Sequence, residues 1–106
     1  GLVTNPTMLV KFHGALAEGA IVMPESLTQM IGSGWQNPAT PGSHYGFGLF
    51  VYDSGNSFGH GGLWPGYRTH VTHFMATGIT IAVQTNRDGR LDLESLVQRI
   101  AALGSR

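Results

Sequence analysis

Four short segments between residues 45 and 85 constrain the fold of this chain most strongly. Each is rich in aromatic and β-branched residues, as strands are. Their sequences are YGFGLFVY at 45–52, SFGHGG at 57–62, YRTHVTHFM at 67–75 and ITIAVQT at 79–85. The connectors between them are short and carry Gly, Pro, Asn or Ser, which favours hairpin turns between antiparallel neighbours. The sequence therefore predicts an antiparallel meander of about four strands.

Helical periodicity precedes this region. Thr4 is placed to cap a helix over 5–18, and Gly19 is placed to end it in a left-handed conformation. A proline at a first-turn position opens a second helix over 24–31. Glycines and prolines are frequent in residues 32–44, which predicts a loop.

A further apolar stripe at helical spacing predicts a helix over 91–103 that closes the sheet. The fold class expected is α+β, with two helices before the meander and one after it. A chain of 106 residues is long enough for one domain with one core, so residues 1–106 are expected to form a single unit.

Composition excludes several classes of function. Six basic and six acidic side chains cancel, so the chain lacks the electrostatic footprint of a nucleic-acid or anionic-membrane binder. The absence of cysteine excludes disulfides, thiolate catalysis and cysteine-ligated metal centres. No apolar run reaches the roughly 18 residues of a membrane span. We expect no cofactor, no nucleic-acid partner and no membrane span.

The histidines His70 and His73 do not suggest a metal site. They are three residues apart on a predicted strand, so their side chains point to opposite faces and cannot chelate one ion together. We expect no metal. Arg68 lies near them and fits either bidentate binding of a carboxylate or a position on a solvated strand face.

The segment GHGGLWPGY at 59–67 carries the clearest chemical signal. Gly61 and Gly62 allow a substrate to approach the strand backbone closely, or they relieve a bulge or a crowded strand pairing. His60 fits either a catalytic group or a hydrogen-bonded structural histidine. Trp64 fits either the mouth of a pocket or packing onto its own hairpin.

Four stretches come in an order that resembles the carboxyl-terminal part of the β-lactamase-like serine hydrolases. That family includes class C β-lactamases, D-alanyl-D-alanine carboxypeptidases and related esterases. The stretches are GLVTNPTMLVKF at 1–12, YGFGLFV at 45–51, GHGGLWPGY at 59–67 and GITIAVQTN at 78–86. The resemblance implies a partial β-lactamase/transpeptidase-like fold. It also implies hydrolysis of a β-lactam, a D-Ala-D-Ala peptide or an ester through an acyl-enzyme.

The third motif of that family is Lys or His, then a small or hydroxyl residue, then Gly, and here it reads His60-Gly61-Gly62. The resemblance implies that the backbone N–H of Leu63 is one oxyanion-hole donor and that His60 supplies polarity or a proton relay. It implies that Gly61, Gly62 and Trp64 contact substrate. Lactamases and peptidases usually carry Thr or Ser where Gly61 stands, so an esterase or amidase is at least as plausible.

The family's nucleophile motif, Ser-x-x-Lys, is absent from the sequence. The only lysine is Lys11, and Met8 stands three residues before it. The string Ser54-Gly55-Asn56 matches the family's second motif, but it lies in a predicted turn and is typical turn composition. The chain alone is therefore expected to be inactive.

Three interpretations remain open from the sequence. The leading one is a carboxyl-terminal fragment of a larger β-lactamase-like hydrolase that binds a small-molecule or peptide substrate when complete. Its apolar surface is expected to meet the N-terminal part of the same precursor or a second copy. The alternatives are a non-catalytic binding module with the same sheet and an unrelated small α+β domain. The residues indicate no compartment, and the resemblance allows a periplasmic or secreted one.

Overall fold

The computed structural model describes residues 2–87, 89 and 91–104. Within them, six strands form one sheet in the order β1 to β6, and every neighbouring pair is antiparallel. The α+β class and the meander are confirmed, although the described residues hold six strands instead of about four. The elements are α1 (Pro6–Ala17), α2 (Pro24–Gly32), β1 (Trp35–Gln36), β2 (His44–Tyr45), β3 (Phe50–Tyr52), β4 (Ser57–Trp64), β5 (Tyr67–Phe74), β6 (Ile79–Thr85) and α3 (Leu93–Gly104).

Helix α1 is capped by Asn5, so the prediction of Thr4 as the cap is wrong by one residue. The Asn5 side-chain oxygen accepts the N–H of Met8 at 2.9 Å, and Pro6 takes the first helical position. Asparagine caps as well as threonine does, and proline fits best directly after the cap. Gly19 follows the helix with φ +81°, as predicted.

The single strand predicted over 45–52 is wrong, because two glycines break it into β2 and β3. Gly48 has φ +75°, and Gly46 lies so close to Met30 that an added β-carbon would overlap the Met30 carbonyl oxygen. The N–H of Phe47 donates to that same carbonyl at 3.0 Å. Residues 46–49 are therefore a turn docked on the end of α2.

The other boundaries differ from prediction by small amounts. The loop predicted over 32–44 contains β1, which pairs with β2. Strand β4 runs two residues further than predicted, up to the turn at Pro65 and Gly66, whereas β6 covers the predicted residues 79–85. Helix α3 begins two residues later than predicted, because Asp92 caps it by accepting the N–H of Ser95 at 3.1 Å.

The helices α1 and α3 cover opposite faces of the sheet. Gly14 of α1 lies over Thr80, and Gly104 of α3 lies over Ile79, the neighbouring residue on β6. Successive strand residues point to opposite faces, so the sheet is the middle layer. The buried core between the helices α1 and α2 and the sheet consists of Leu16, Leu27, Leu49, Val51 and Phe58. In the described part of the chain, no helix has the length and apolar character needed to span a membrane.

Candidate active-site edge of strand β4

Strand β4 is paired along its whole length on one side only. On that side β5 pairs with every residue from Ser57 to Trp64. On the other side β3 pairs only with Ser57, Phe58 and Gly59. Residues 60–64, which include the His60-Gly61-Gly62 motif, therefore border an edge that β3 does not cover.

The direction of each backbone N–H along β4 follows from one hydrogen bond at its start. The Met75 N–H donates to the Asn56 carbonyl at 2.9 Å, next to the pair that begins the β4–β5 ladder. Hydrogen-bonding groups alternate between the two edges of an antiparallel strand. The backbone N–H and C=O groups of Asn56 and of every second residue after it therefore bond to β5. The backbone groups of the residues in between point away from β5. The N–H of Leu63 and the carbonyl of Gly61 consequently point to the open edge.

His60 is held at this edge by both of its ring nitrogens. Nδ1 lies 2.5 Å from the Gly61 carbonyl oxygen, and Nε2 lies 3.1 Å from the hydroxyl of Tyr45. The ring also contacts Phe50 at a centroid distance of 5.0 Å. The sequence gives no direct signal for Tyr45 and Phe50, because the turn at 46–49 that brings them together was predicted as strand.

Packing explains one glycine of the GHGG segment and not the other two. A β-carbon on Gly59 would collide with the Val71 backbone across the ladder. A β-carbon on Gly61 would lie 3.7 Å from the nearest atom of His70, and one on Gly62 would lie 3.6 Å from Thr69. Both distances are ordinary van der Waals contacts. Crowded strand pairing therefore accounts for Gly59 but does not require Gly61 or Gly62.

The two apolar residues after the motif are exposed. Leu63 is 77 % exposed and Trp64 is 71 % exposed. Trp64 pairs with Tyr67 at the closed end of the hairpin. Of these two, only Leu63 lines the cleft described next.

A cleft of about 370 Å³ lies between β4, β5 and the start of α3. Its lining includes the Gly61–Leu63 segment of β4 and the acidic residues Asp92 and Glu94 at the start of α3. The structure thus brings Gly61, Gly62 and Leu63 together along one cavity, whereas His60 and Trp64, which flank them in the chain, are not among its lining residues. The remaining lining residues are Phe50, Arg68, Thr69, His70 and Leu93.

Arg68 is half-buried on β5, and its Nη1 contacts two backbone carbonyls. Its guanidinium donates to the carbonyl oxygens of Gly89 at 3.0 Å and Leu91 at 2.5 Å. Arg68 lies directly opposite Leu63 in the β4–β5 ladder. It therefore tethers the segment before α3 to the hairpin that carries the open edge.

Burial dominates the ionisation of His70, which lines the cleft, and of Tyr52, whose ring contacts it. It lowers the pKa of His70, which is 7 % exposed, while the nearby Glu94 carboxylate acts in the opposite direction. It also raises the pKa of Tyr52 to about 12, with Glu94 adding to the effect. His70 is therefore uncharged near neutral pH, and its Nε2 lies 3.1 Å from the hydroxyl of Thr72.

The described residues hold no serine beside a lysine at this edge and no metal centre. Lys11 is exposed on α1, and Ser54 lies in a short 3-10 turn before β4. His73 contacts Phe58 and Thr80, whereas His70 contacts Tyr52 and Thr72. No three His, Asp or Glu side chains among residues 2–87, 89 and 91–104 are grouped to hold a metal ion.

Comparison with known proteins identifies the family. The family model described as Beta-lactamase matches residues 1–104. The chain belongs to the β-lactamase family. A search of curated protein sequences found no match.

Solved structures similar to this β-lactamase-family chain include amidohydrolases. A D-stereospecific amidohydrolase from Streptomyces sp. superimposes with a TM-score of 0.74 at 26 % identity, over 85 % of this chain and 27 % of that one. A D-amino acid amidase from Ochrobactrum anthropi SV3, in complex with L-phenylalanine amide, gives a TM-score of 0.61 at 26 % identity, over 78 % and 25 %.

The same amidase in complex with D-phenylalanine gives a TM-score of 0.70 over 94 % of this chain and 36 % of that one. Its identity is 23 %, so this match bears on the fold. The chain spans about a quarter to a third of the length of these structures. The likeness confirms the predicted partial β-lactamase-like fold.

Proposed function

We propose that this chain supplies one wall of a serine hydrolase that cleaves amides or esters through an acyl-enzyme. In this proposal the N–H of Leu63 is one donor of the oxyanion hole. The observation that supports it is the direction of that N–H, which faces the open edge of β4 beside two glycines that packing does not require. A donor fixed on a strand is preorganised for the charge that develops in acyl transfer.

The substrate class proposed is a small amide or ester in preference to a β-lactam. Gly61 has no hydroxyl with which to hold the carboxylate of a β-lactam. The cleft beside it is lined by Asp92 and Glu94, which repel a substrate carboxylate, and its one cation among the described residues, Arg68, uses Nη1 to bind the backbone carbonyls of Gly89 and Leu91. Similar solved structures include a D-stereospecific amidohydrolase and a D-amino acid amidase, which agrees with this class.

The nucleophile and its activating base come from outside these residues in this proposal. The sequence has no Ser-x-x-Lys, and Lys11 lies on α1, away from the open edge. An N-terminal part of the same precursor is the proposed source of both groups. The present chain would then stabilise the transition state without forming the covalent intermediate.

The test is reconstitution of activity. The coding sequence upstream of this chain should contain Ser-x-x-Lys and a Tyr-x-Asn. Mixing the upstream part with this chain should restore turnover of D-phenylalanine amide or a p-nitrophenyl ester, with slower turnover of a chromogenic cephalosporin. The matched control replaces the serine of the upstream motif by alanine and should show no turnover.

Two results would contradict the proposal. One is an upstream sequence that lacks both motifs, which would favour a non-catalytic binding module. The other is equal turnover with the serine-to-alanine control, which would exclude acyl-enzyme formation on that serine.

A further inference from the structure

The hydrogen bonds of His60 define which of its nitrogens carries the proton. A carbonyl oxygen only accepts, so the Nδ1 atom that lies 2.5 Å from the Gly61 oxygen must carry the hydrogen. In the neutral ring Nε2 is then a bare acceptor, and the Tyr45 hydroxyl at 3.1 Å donates to it. The geometry thus selects the Nδ1–H tautomer of His60.

The carbonyl that His60 holds belongs to the open edge. Gly61 and Gly62 have the widest backbone freedom of any residues, and β3 does not pair with this part of β4. The Gly61 carbonyl lies in the peptide group just before the one that contains the Leu63 N–H. A bond from the His60 ring to that carbonyl restrains the backbone where orientation of the N–H matters most.

The ring of His60 is in turn fixed by two aromatic side chains. Tyr45 contacts it at a centroid distance of 5.7 Å and Phe50 at 5.0 Å. Tyr45 and Phe50 also contact each other edge to face at 4.7 Å. The three rings hold His60 in place by packing, and the Tyr45 hydroxyl adds the one directional bond to Nε2.

We propose that Tyr45 is a positioning residue of this site, acting through His60. Its hydroxyl adds to the Gly61 carbonyl in favouring the Nδ1–H tautomer of His60, whose Nδ1–H holds that carbonyl and the backbone that presents the Leu63 N–H. This inference rests on the proposed function and deepens it. It gives His60 a restraining role in place of a proton relay, because both ring nitrogens are already engaged.

The test compares Tyr45→Phe with Tyr67→Phe in the complete protein that contains this chain. The phenylalanine at 45 keeps the ring contacts and removes only the hydroxyl. Tyr67, at the end of the hairpin, is 61 % exposed and serves as the matched control. Two quantities are measured: the tautomer of His60 by ¹⁵N-resolved NMR at pH 8, assigned with His60→Gln, and the kinetic constants for D-phenylalanine amide.

The expected tautomer in the unmodified protein is Nδ1–H, with a marked increase in Nε2–H for Tyr45→Phe and no change for Tyr67→Phe. Loss of one hydrogen bond should lower kcat about three- to tenfold and leave KM within about twofold. The pH–rate profile should keep its shape in Tyr45→Phe, because no proton-transfer group is removed.

The inference is overturned if His60 in the unmodified protein is the Nε2–H tautomer, or if Tyr45→Phe leaves the tautomer unchanged. A pH–rate profile that loses one limb in Tyr45→Phe would also overturn it in favour of a proton relay. The tautomer measurement needs no turnover. If the complete protein hydrolyses neither amide nor ester, the proposed function fails while the tautomer result still decides the Tyr45–His60 arrangement.

Discussion

Gly59 lies against the backbone of Val71 across the β4–β5 ladder, so closely that a β-carbon on Gly59 would stand 2.8 Å from the Val71 carbonyl carbon. The neighbouring atoms are backbone in the centre of the sheet and cannot rotate away. Replacement of Gly59 by alanine should therefore destabilise the fold by about 3 kcal/mol, the upper end of the range for overpacking. Urea denaturation followed by circular dichroism measures this change in the free energy of unfolding.

Gly61→Ala is the matched control for that prediction. A β-carbon there meets His70 at an ordinary 3.7 Å, and alanine reduces the freedom of the unfolded chain. The free energy of unfolding should stay within about 0.5 kcal/mol or rise. Equal destabilisation by the two substitutions would show that Gly61, like Gly59, is required by packing and would weaken its assignment to the site.

The contrast between these glycines marks the limit of what the sequence could predict. Periodicity and short connectors were sufficient to place β6 and the β4–β5 hairpin, because these depend on local pattern and turn chemistry. They did not separate β2 from β3, since the aromatic and β-branched residues of YGFGLFVY favour one continuous strand. What makes Gly46 part of a turn is its contact with Met30 on α2, which is 16 positions away in the chain.

The candidate site also combines features that the local sequence predicts with features that depend on distant contacts. The motif His60-Gly61-Gly62 is visible in the sequence, and its resemblance to a family suggested a role for Leu63. The engagement of His60 by Tyr45 depends on the turn at 46–49, so no local pattern indicates it. The hydrogen bonds from Arg68 to Gly89 and Leu91 also join segments that are distant in the chain. The chemistry of an arginine side chain alone does not predict these partners.

Stability should fall in mild acid because three histidines are buried. Burial is the largest cause that lowers the pKa of His13, His70 and His73 below 6.5 in the folded state. The unfolded chain then binds protons that the folded chain does not, once the pH falls below about 6.5. The histidine contribution to the free energy of unfolding should therefore be constant between pH 7.5 and about 9 and decrease progressively from pH 6.5 downward, measured by urea titration at each pH.

Two comparisons identify the cause of that acid sensitivity. His13→Gln removes one of the three groups and should reduce the slope of stability against pH between 6.5 and 5. Raising the salt concentration from 0.05 to 0.5 M should leave the slope nearly unchanged, because desolvation is not screened as exposed charges are. A slope that vanishes in high salt would assign the effect to repulsion between His13 and His73 in place of burial.

The outer edge of β6 should make the isolated chain associate. Within the described residues no strand lies beyond β6, and the apolar side chains of Met8, Phe12 and Leu103 are 53, 52 and 65 % exposed. An open edge with apolar flanks is a template for pairing. Sedimentation velocity should show a mass that increases with concentration between 5 and 200 μM.

The edge itself can be blocked without harming the ladder. Backbone hydrogen bonds alternate between the two edges of each antiparallel strand, so the register of the β4–β5 pair also sets that of the β5–β6 pair. In this register the N–H of Gln84 points away from β5. Gln84→Pro should therefore reduce association and keep the secondary structure, whereas the control Gln84→Ala should associate like the unmodified chain. A stable monomer at all concentrations in the unmodified chain would contradict the prediction.

The Leu63→Pro substitution tests whether the N–H of Leu63 is an oxyanion donor. Because that N–H faces the open edge, proline removes it without deleting a β4–β5 hydrogen bond. Leu63→Ala is the control, since it shortens the exposed side chain and keeps the N–H. The measurement is kcat for D-phenylalanine amide in the reconstituted protein, with circular dichroism to verify the fold. We predict a loss of about 10²- to 10³-fold for proline and less than about threefold for alanine; a folded Leu63→Pro protein that retains kcat within about threefold would contradict the account.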